Sequence, residues 1–148
     1  MFSIRQMKRE DIPEMALIFV AEFSRQPYGE VWDADDALDR LEDLFMDSDH
    51  SLVISEGERL IGFCLAHRYT WHEGYSLQID ELVISEEYRG QGMGTMLIQR
   101  IEGLCAKSGI KLLSVTCMEG SNAYEFYQDR QFHMTPYRVL TKRIEPIQ

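Results

Sequence analysis

The apolar positions of this chain change period several times, and each change marks an element. Residues 2–6 alternate and read as a strand. Ile12, Met15, Ala16, Phe19 and Phe23 then recur on one side of a helix, opened by the capping box Asp11-x-x-Glu14. Residues 24–32, broken by Pro27 and Gly29, read as a loop. Asp33 or Asp35 caps a second helix bearing Leu38, Leu41, Leu44 and Phe45. Residues 52–55 and 59–69 form a predicted hairpin through Glu56-Gly57, and 75–84 is its third strand. That strand ends in the unbroken apolar run Leu82-Val83-Ile84, which suits burial on both faces. Leu97, Ile101, Leu104 and Cys105 stripe a helix over 95–107, and Gly109 closes it. A strand over 111–117, a short helix over 122–130, and two strands over 132–135 and 138–144 around Pro136-Tyr137 complete the series. The order is β-α-α-β-β-β-α-β-α-β-β, an α/β chain expected to form one domain over 1–148.

Between the strand ending at Ile84 and the next helix stands Arg89-Gly90-Gln91-Gly92-Met93-Gly94. Glycines in such a turn let the backbone approach an anion, and free N–H groups of the first helical turn point at it with the helix dipole behind them. A phosphorylated ligand is expected here. The chain has no Gly-Lys pair, so this is no P-loop. The third glycine comes one residue too early for a dinucleotide fingerprint, and no acid follows the next strand around Ser114, Val115 and Thr116.

The spacing Arg-x-x-Gly-x-Gly directly after a strand resembles the pyrophosphate loop of the GNAT superfamily of acetyl-CoA-dependent N-acetyltransferases. A second stretch, Ser121-Asn122-Ala123-Tyr124-Glu125-Phe126-Tyr127 followed by Gln131-Phe132, resembles the later motif of that family in content, order and separation. One departure is Gln131, where a glycine is common; it concerns the helix C-cap. The resemblance implies a mixed, mostly antiparallel twisted sheet of about seven strands with helices on both faces. It also implies acetyl-CoA as co-substrate, held by Leu82, Val83, Ile84, Arg89, Gly90, Gln91, Gly92, Met93, Gly94, Thr95, Asn122 and Tyr127.

Composition narrows the partners. A net charge of −10 argues against nucleic acid and is compatible with a cationic acceptor, although a solubilising acidic surface explains it equally. Cys64, Cys105 and Cys117 lie in apolar segments without Cys-x-x-Cys spacing and read as buried free thiols, with no zinc or other metal site. His72-Glu73 lacks the second His of a zinc-protease motif. The charged first ten residues lack a signal-peptide pattern and no run is long enough to span a membrane, so a cytoplasmic enzyme is expected, with a homodimer admitted.

An alkyl amine attacking a thioester must be neutral, yet its pKa lies near 10. A carboxylate of raised pKa can take the proton. Glu81 is the candidate: in a regular strand it shares a face with Leu77, Ile79 and Val83, an apolar setting. Asp80 is its rival, because a β-bulge there would exchange the side chains facing the site. The resemblance gives Tyr127 as the acid that protonates the departing thiolate. Tyr127 could instead be a core anchor, and Asn122-x-x-Glu125 doubles as a capping box. N–H groups of Leu82 and Val83 are the expected donors to the thioester carbonyl. Aromatic residues beside acids suit a cationic acceptor, which points to Tyr28, Glu30 and Trp32 in the first interhelical loop, to Trp71, and to Asp80. The expected activity is transfer of acetyl to a small cationic primary amine, such as a polyamine or aminoglycoside, by direct attack in a ternary complex. A protein lysine or N-terminus as acceptor, and a non-catalytic acyl-CoA-binding module, are the alternatives.

Overall fold

The computed structural model describes residues 1–47 and 49–147. It divides into two compact units, Met1–Thr116 and Cys117–Gln148. The first holds strand β1 (Phe2–Gln6), helices α1 (Ile12–Phe23) and α2 (Ala34–Leu44), and strands β2 (Leu52–Glu56), β3 (Arg59–Trp71) and β4 (Gly74–Ile84). Helix α3 (Met93–Lys107) and strand β5 (Leu112–Val115) complete it.

One sheet runs in the order β1-β2-β3-β4-β5. The first three pairings are antiparallel, and β5 joins β4 in parallel after the α3 crossover. Val53, Phe63, Leu65 and Val83 belong to the core under α1 and α2, together with Met15, Phe19, Ala37 and Leu41. Helix α3 packs against β2, β3 and β4 with Leu97, Ile98 and Ile101 buried. Alternation along the strands turns Ile54, Cys64, Leu77 and Ile79 to that opposite side. Helices therefore cover both faces, as expected.

Several ends are built differently from the expected capping. Asp11 accepts no cap bond from α1 itself; its carboxylate closes the short 3-10 turn over residues 9–11 by taking the Lys8 N–H at 2.8 Å, and pairs with Arg5. Glu14 reaches instead to the Leu60 N–H at 2.8 Å, fastening α1 to β3. Asp33, not Asp35, caps α2 through the Asp36 N–H at 2.9 Å. Gly109, at φ +70, follows the last turn of α3, where the Ile110 N–H returns to the Cys105 carbonyl. Cys64 and Cys105 are buried free thiols, whereas Cys117 is only half-buried.

The second unit holds helix α4 (Asn122–Asp129). Its cap is Ser121, whose Oγ accepts the Tyr124 N–H at 3.1 Å; Asn122 is the first helical residue, and the expected Asn122–Glu125 box is not the cap. Gln131 takes the left-handed conformation at φ +70, and the Phe132 N–H closes on the Tyr127 carbonyl at 3.1 Å. The two strands expected over 132–135 and 138–144 are absent among the described residues, so the sheet has five strands, not seven. Strand propensity only expresses fitness for a paired, half-buried surface. Val139, Leu140 and Ile144 are instead exposed.

Candidate active site

The centre of the site is an irregularity in β4. Leu65 pairs with Glu81 but Ala66 pairs with Ile79, so Asp80 is an extra residue bulged out of the ladder. A bulge of this kind turns two successive side chains to one face. Glu81 accordingly shares the α1/α2 face with its partner Leu65 and with Val83, and not with Leu77 and Ile79 as a regular strand required. Asp80 faces the same way: its Oδ2 lies 2.6 Å from Nδ1 of His67, two residues beyond Leu65 on β3. The two carboxylates thus stand side by side.

The Glu81 carboxyl is only 13% exposed, and burial pushes its pKa up to about 7 even though Arg40 of α2, 3.5 Å away, pulls the other way. Nearby Asp80 and Glu30 push it further up. The carboxyl is therefore poised to take or give a proton near neutrality. Neither Arg40 nor His67 was read as functional from the sequence, yet each had a signal. Arg40, itself exposed, is three residues after Ala37 and one before Leu41, on the border of the buried stripe of α2, and His67 continues the inward series Phe63, Leu65 of β3.

The register of β4 also opens an edge. Pairing with β5 ends at Ile79 opposite Val115. From Asp80 to Ile84 the strand has no partner on that side among the described residues of the sheet. Leu82, Val83 and Ile84 lie on this stretch, which runs straight into the glycine turn. Val83 is buried in the core and its N–H and C=O face Phe63 of β3, so it is not the expected donor; the backbone groups that face the open edge are those of Leu82 and Ile84.

In the turn, Gly90 and Gly92 sit at φ +74 and +83, a left-handed backbone that L side chains rarely adopt. Gly92 is the residue before α3, so the N–H groups of Met93, Gly94 and Thr95 occupy its first turn. No atom lies within 4 Å of where a Cβ would stand on Gly90 or Gly92. The Met93 side chain is buried, and the Gln91 amide donates to the Glu87 carbonyl at 3.4 Å. Arg89 is drawn the other way: its guanidinium pairs with Glu22 of α1 and donates to the Ile84 carbonyl. Its charge is spent on a carboxylate, so what the turn can offer an anion is its backbone N–H groups.

Trp32 packs edge-on to Phe19 with ring centres 5.0 Å apart, and its Nε1 donates to Glu30 at 2.8 Å. Tyr28 stacks on Phe23, so this loop is an aromatic extension of the core with an exposed carboxylate on its rim. Trp71 is not brought near Glu81. It sits at the β3–β4 tip, six residues beyond Leu65 and about 20 Å along the strand. In the second unit Tyr127 is buried against Phe126 and Phe132, while Asn122 is exposed on the first turn of α4. Among the described residues no group of three or more metal-ligating side chains converges.

A glycine-rich helix N-terminus, an open strand edge leading from it, and a buried carboxyl whose pKa is pushed up to about 7 suit a group-transfer enzyme of the acyltransferase kind. Residues 17–132 match the family model described as the acetyltransferase (GNAT) family. The chain belongs to that family, whose members use acetyl-CoA as co-substrate. It is similar in fold to a possible acetyltransferase from Clostridium difficile 630, with 18% identity, a TM-score of 0.81, and 98% of this chain and 99% of that one covered. It is also similar to an aminoglycoside acetyltransferase from an uncultured soil metagenomic sample (16% identity, TM-score 0.72, 98% and 97% covered). A third similar structure is the ribosomal-protein-alanine N-acetyltransferase of Brucella melitensis biovar Abortus 2308 (16% identity, TM-score 0.72, 97% and 100% covered). Among the described residues no helix is long and apolar enough to cross a membrane.

Proposed function

We propose that this acetyltransferase, a single domain over 1–148, moves acetyl from acetyl-CoA to a small cationic primary amine by direct attack in a ternary complex. The observation that carries the reading is the Asp80–Glu81 pair on the bulge, with Glu81 titrating near pH 7 and already partnered by a guanidinium. A carboxyl that pairs with Arg40 can pair with an ammonium in the same way, and near neutrality it can then accept that ammonium's proton.

The residues fit the co-substrate. The space over Gly90 and Gly92 lets a phosphate reach the N–H groups of the α3 N-terminus, and the β4 edge from Asp80 to Ile84 can pair with an extended amide chain as a strand would. Acetyl-CoA, when bound, supplies a thioester, an acyl group already activated toward amines. The chain's own work is positional and protonic. The Leu82 N–H, on the unpaired side of β4, donates to the carbonyl oxygen as charge grows on it, whereas the Val83 N–H faces Phe63 of β3 and takes no part. Glu81 accepts the amine proton, and the Tyr127 hydroxyl donates to the leaving sulfur. Glu30, on the rim beside Trp32, attracts the cation on entry.

A panel of amines assayed by free-thiol release tests the reading. Small cationic amines should be turned over well above lysine peptides and free peptide N-termini. Turnover confined to the peptides would refute it.

A further inference from the structure

The guanidinium beside Glu81 is loosely held. Arg40 Nη2 stands 3.5 Å from Glu81 Oε1, beyond the roughly 2.7–2.9 Å of a closed ion pair, and the Arg40 side chain is 45% exposed. Asp36 and Asp43 lie one turn to either side of Arg40 on α2, yet it forms no ion pair with them among the described residues. The other carboxylates whose charge bears on Glu81 are engaged at short range: Asp80 by Nδ1 of His67 at 2.6 Å, and Glu30 by Nε1 of Trp32 at 2.8 Å. The place where an amine would lose its proton is therefore an open pair of opposite charges, Glu81 and Arg40.

That pair constrains the acceptor. An ammonium with no other charge, seated at Glu81, would stand beside the like charge of Arg40. An acceptor with a carboxylate next to its amine presents the complementary pair, ammonium to Glu81 and carboxylate to Arg40, and a planar guanidinium can take both carboxylate oxygens. Once the amine's proton has passed to Glu81, the same carboxylate gives Arg40 a counter-charge in place of the one it has lost. In an α-amino acid one carbon separates the two groups, which suits partners only 3.5 Å apart. We propose that the acceptor is a free α-amino acid of net positive charge, with its α-amine at Glu81 and its carboxylate on Arg40. The inference rests on the small cationic acceptor and on Glu81 as the proton acceptor. It adds Arg40 as the residue that selects a carboxylate beside the reacting amine.

Thiol release is measured with acetyl-CoA and either free arginine, which carries a single primary amine beside its guanidinium, or argininamide, in which a neutral amide replaces the carboxylate. The parent should favour arginine in kcat/KM, chiefly through a lower KM. Arg40→Gln should lower the arginine-to-argininamide ratio about tenfold, the scale of one hydrogen bond to a charged group. Any effect of the lost guanidinium on Glu81 itself acts on both amines alike and cancels in the ratio. A parent that does not favour arginine, or a ratio unmoved by Arg40→Gln, would overturn the carboxylate contact while leaving the base assignment standing. Failure of the parent to turn over any amine, with acetyl-CoA still bound, would overturn the base assignment and the carboxylate contact together.

Discussion

Glu81 is a carboxyl whose surroundings disagree about it. Burial raises its proton affinity, and Arg40 lowers it by pairing and by charge. The balance has a consequence for stability. Below the ordinary carboxylate value of 4.5, Glu81 is protonated whether the chain is folded or not. As the pH rises from there to about 7, the unfolded chain ionises first, so stability is lost across that window. The loss amounts to at most about 3 kcal/mol. Glu81→Gln should abolish it: the variant should be more thermostable than the parent at pH 8 and equal to it at pH 4. Melting curves at the two pH values check this, and an equal difference at both would argue against a raised pKa. Gln131 offers a second case. It holds φ +70 at the end of α4, where a glycine costs nothing. Gln131→Gly should stabilise the protein by about 1 kcal/mol, read as a rise in denaturation midpoint.

At the scale of elements, the proposed function rests on the glycine turn and β4, and they differ in how visible they are in sequence. The turn was legible because its residues are diagnostic by type: the left-handed backbone at Gly90 and Gly92 favours glycine, and a strand and a helix flank them by period. The bulge was legible only as an alternative, because Ile79-Asp80-Glu81 alternates acceptably either way. It is the pairing with Leu65 and Ala66 that decides the register, and pairing is a property of two strands. Arg89 shows the same limit, since its partner Glu22 lies far back on α1. The last two expected strands failed for a related reason: residues 138–144 have the composition of a strand, but composition supplies no neighbour. A β-branched side chain at Gly92 should therefore act on the ligand. Gly92→Val is expected to weaken acetyl-CoA binding at least tenfold by calorimetry, and unchanged affinity would remove the turn from the site. For α4, Tyr127→Phe should reduce kcat more than it changes acetyl-CoA affinity, because a proton donated to a leaving group acts in the transition state. Equal turnover at every pH would assign the acid elsewhere.

At the scale of the whole molecule, the charge of −10 and the carboxylates around Glu81 act in one direction, toward drawing in a cation. Surface fields are screened by salt, so KM for a cationic acceptor should rise with ionic strength while kcat holds. A KM indifferent to salt would reduce the acidic surface to a solubilising role. The proposed chemistry depends on Glu81 receiving the amine's proton. The most direct test is the pH dependence of kcat/KM for one amine in the parent and in Glu81→Gln. The parent should rise along a limb near pH 7. The variant should lack that limb and lose most activity at neutral pH, with the deficit shrinking as free amine becomes abundant in alkali. A limb shared by both proteins, or a deficit of constant size at every pH, would contradict the assignment and return the role of base to Asp80.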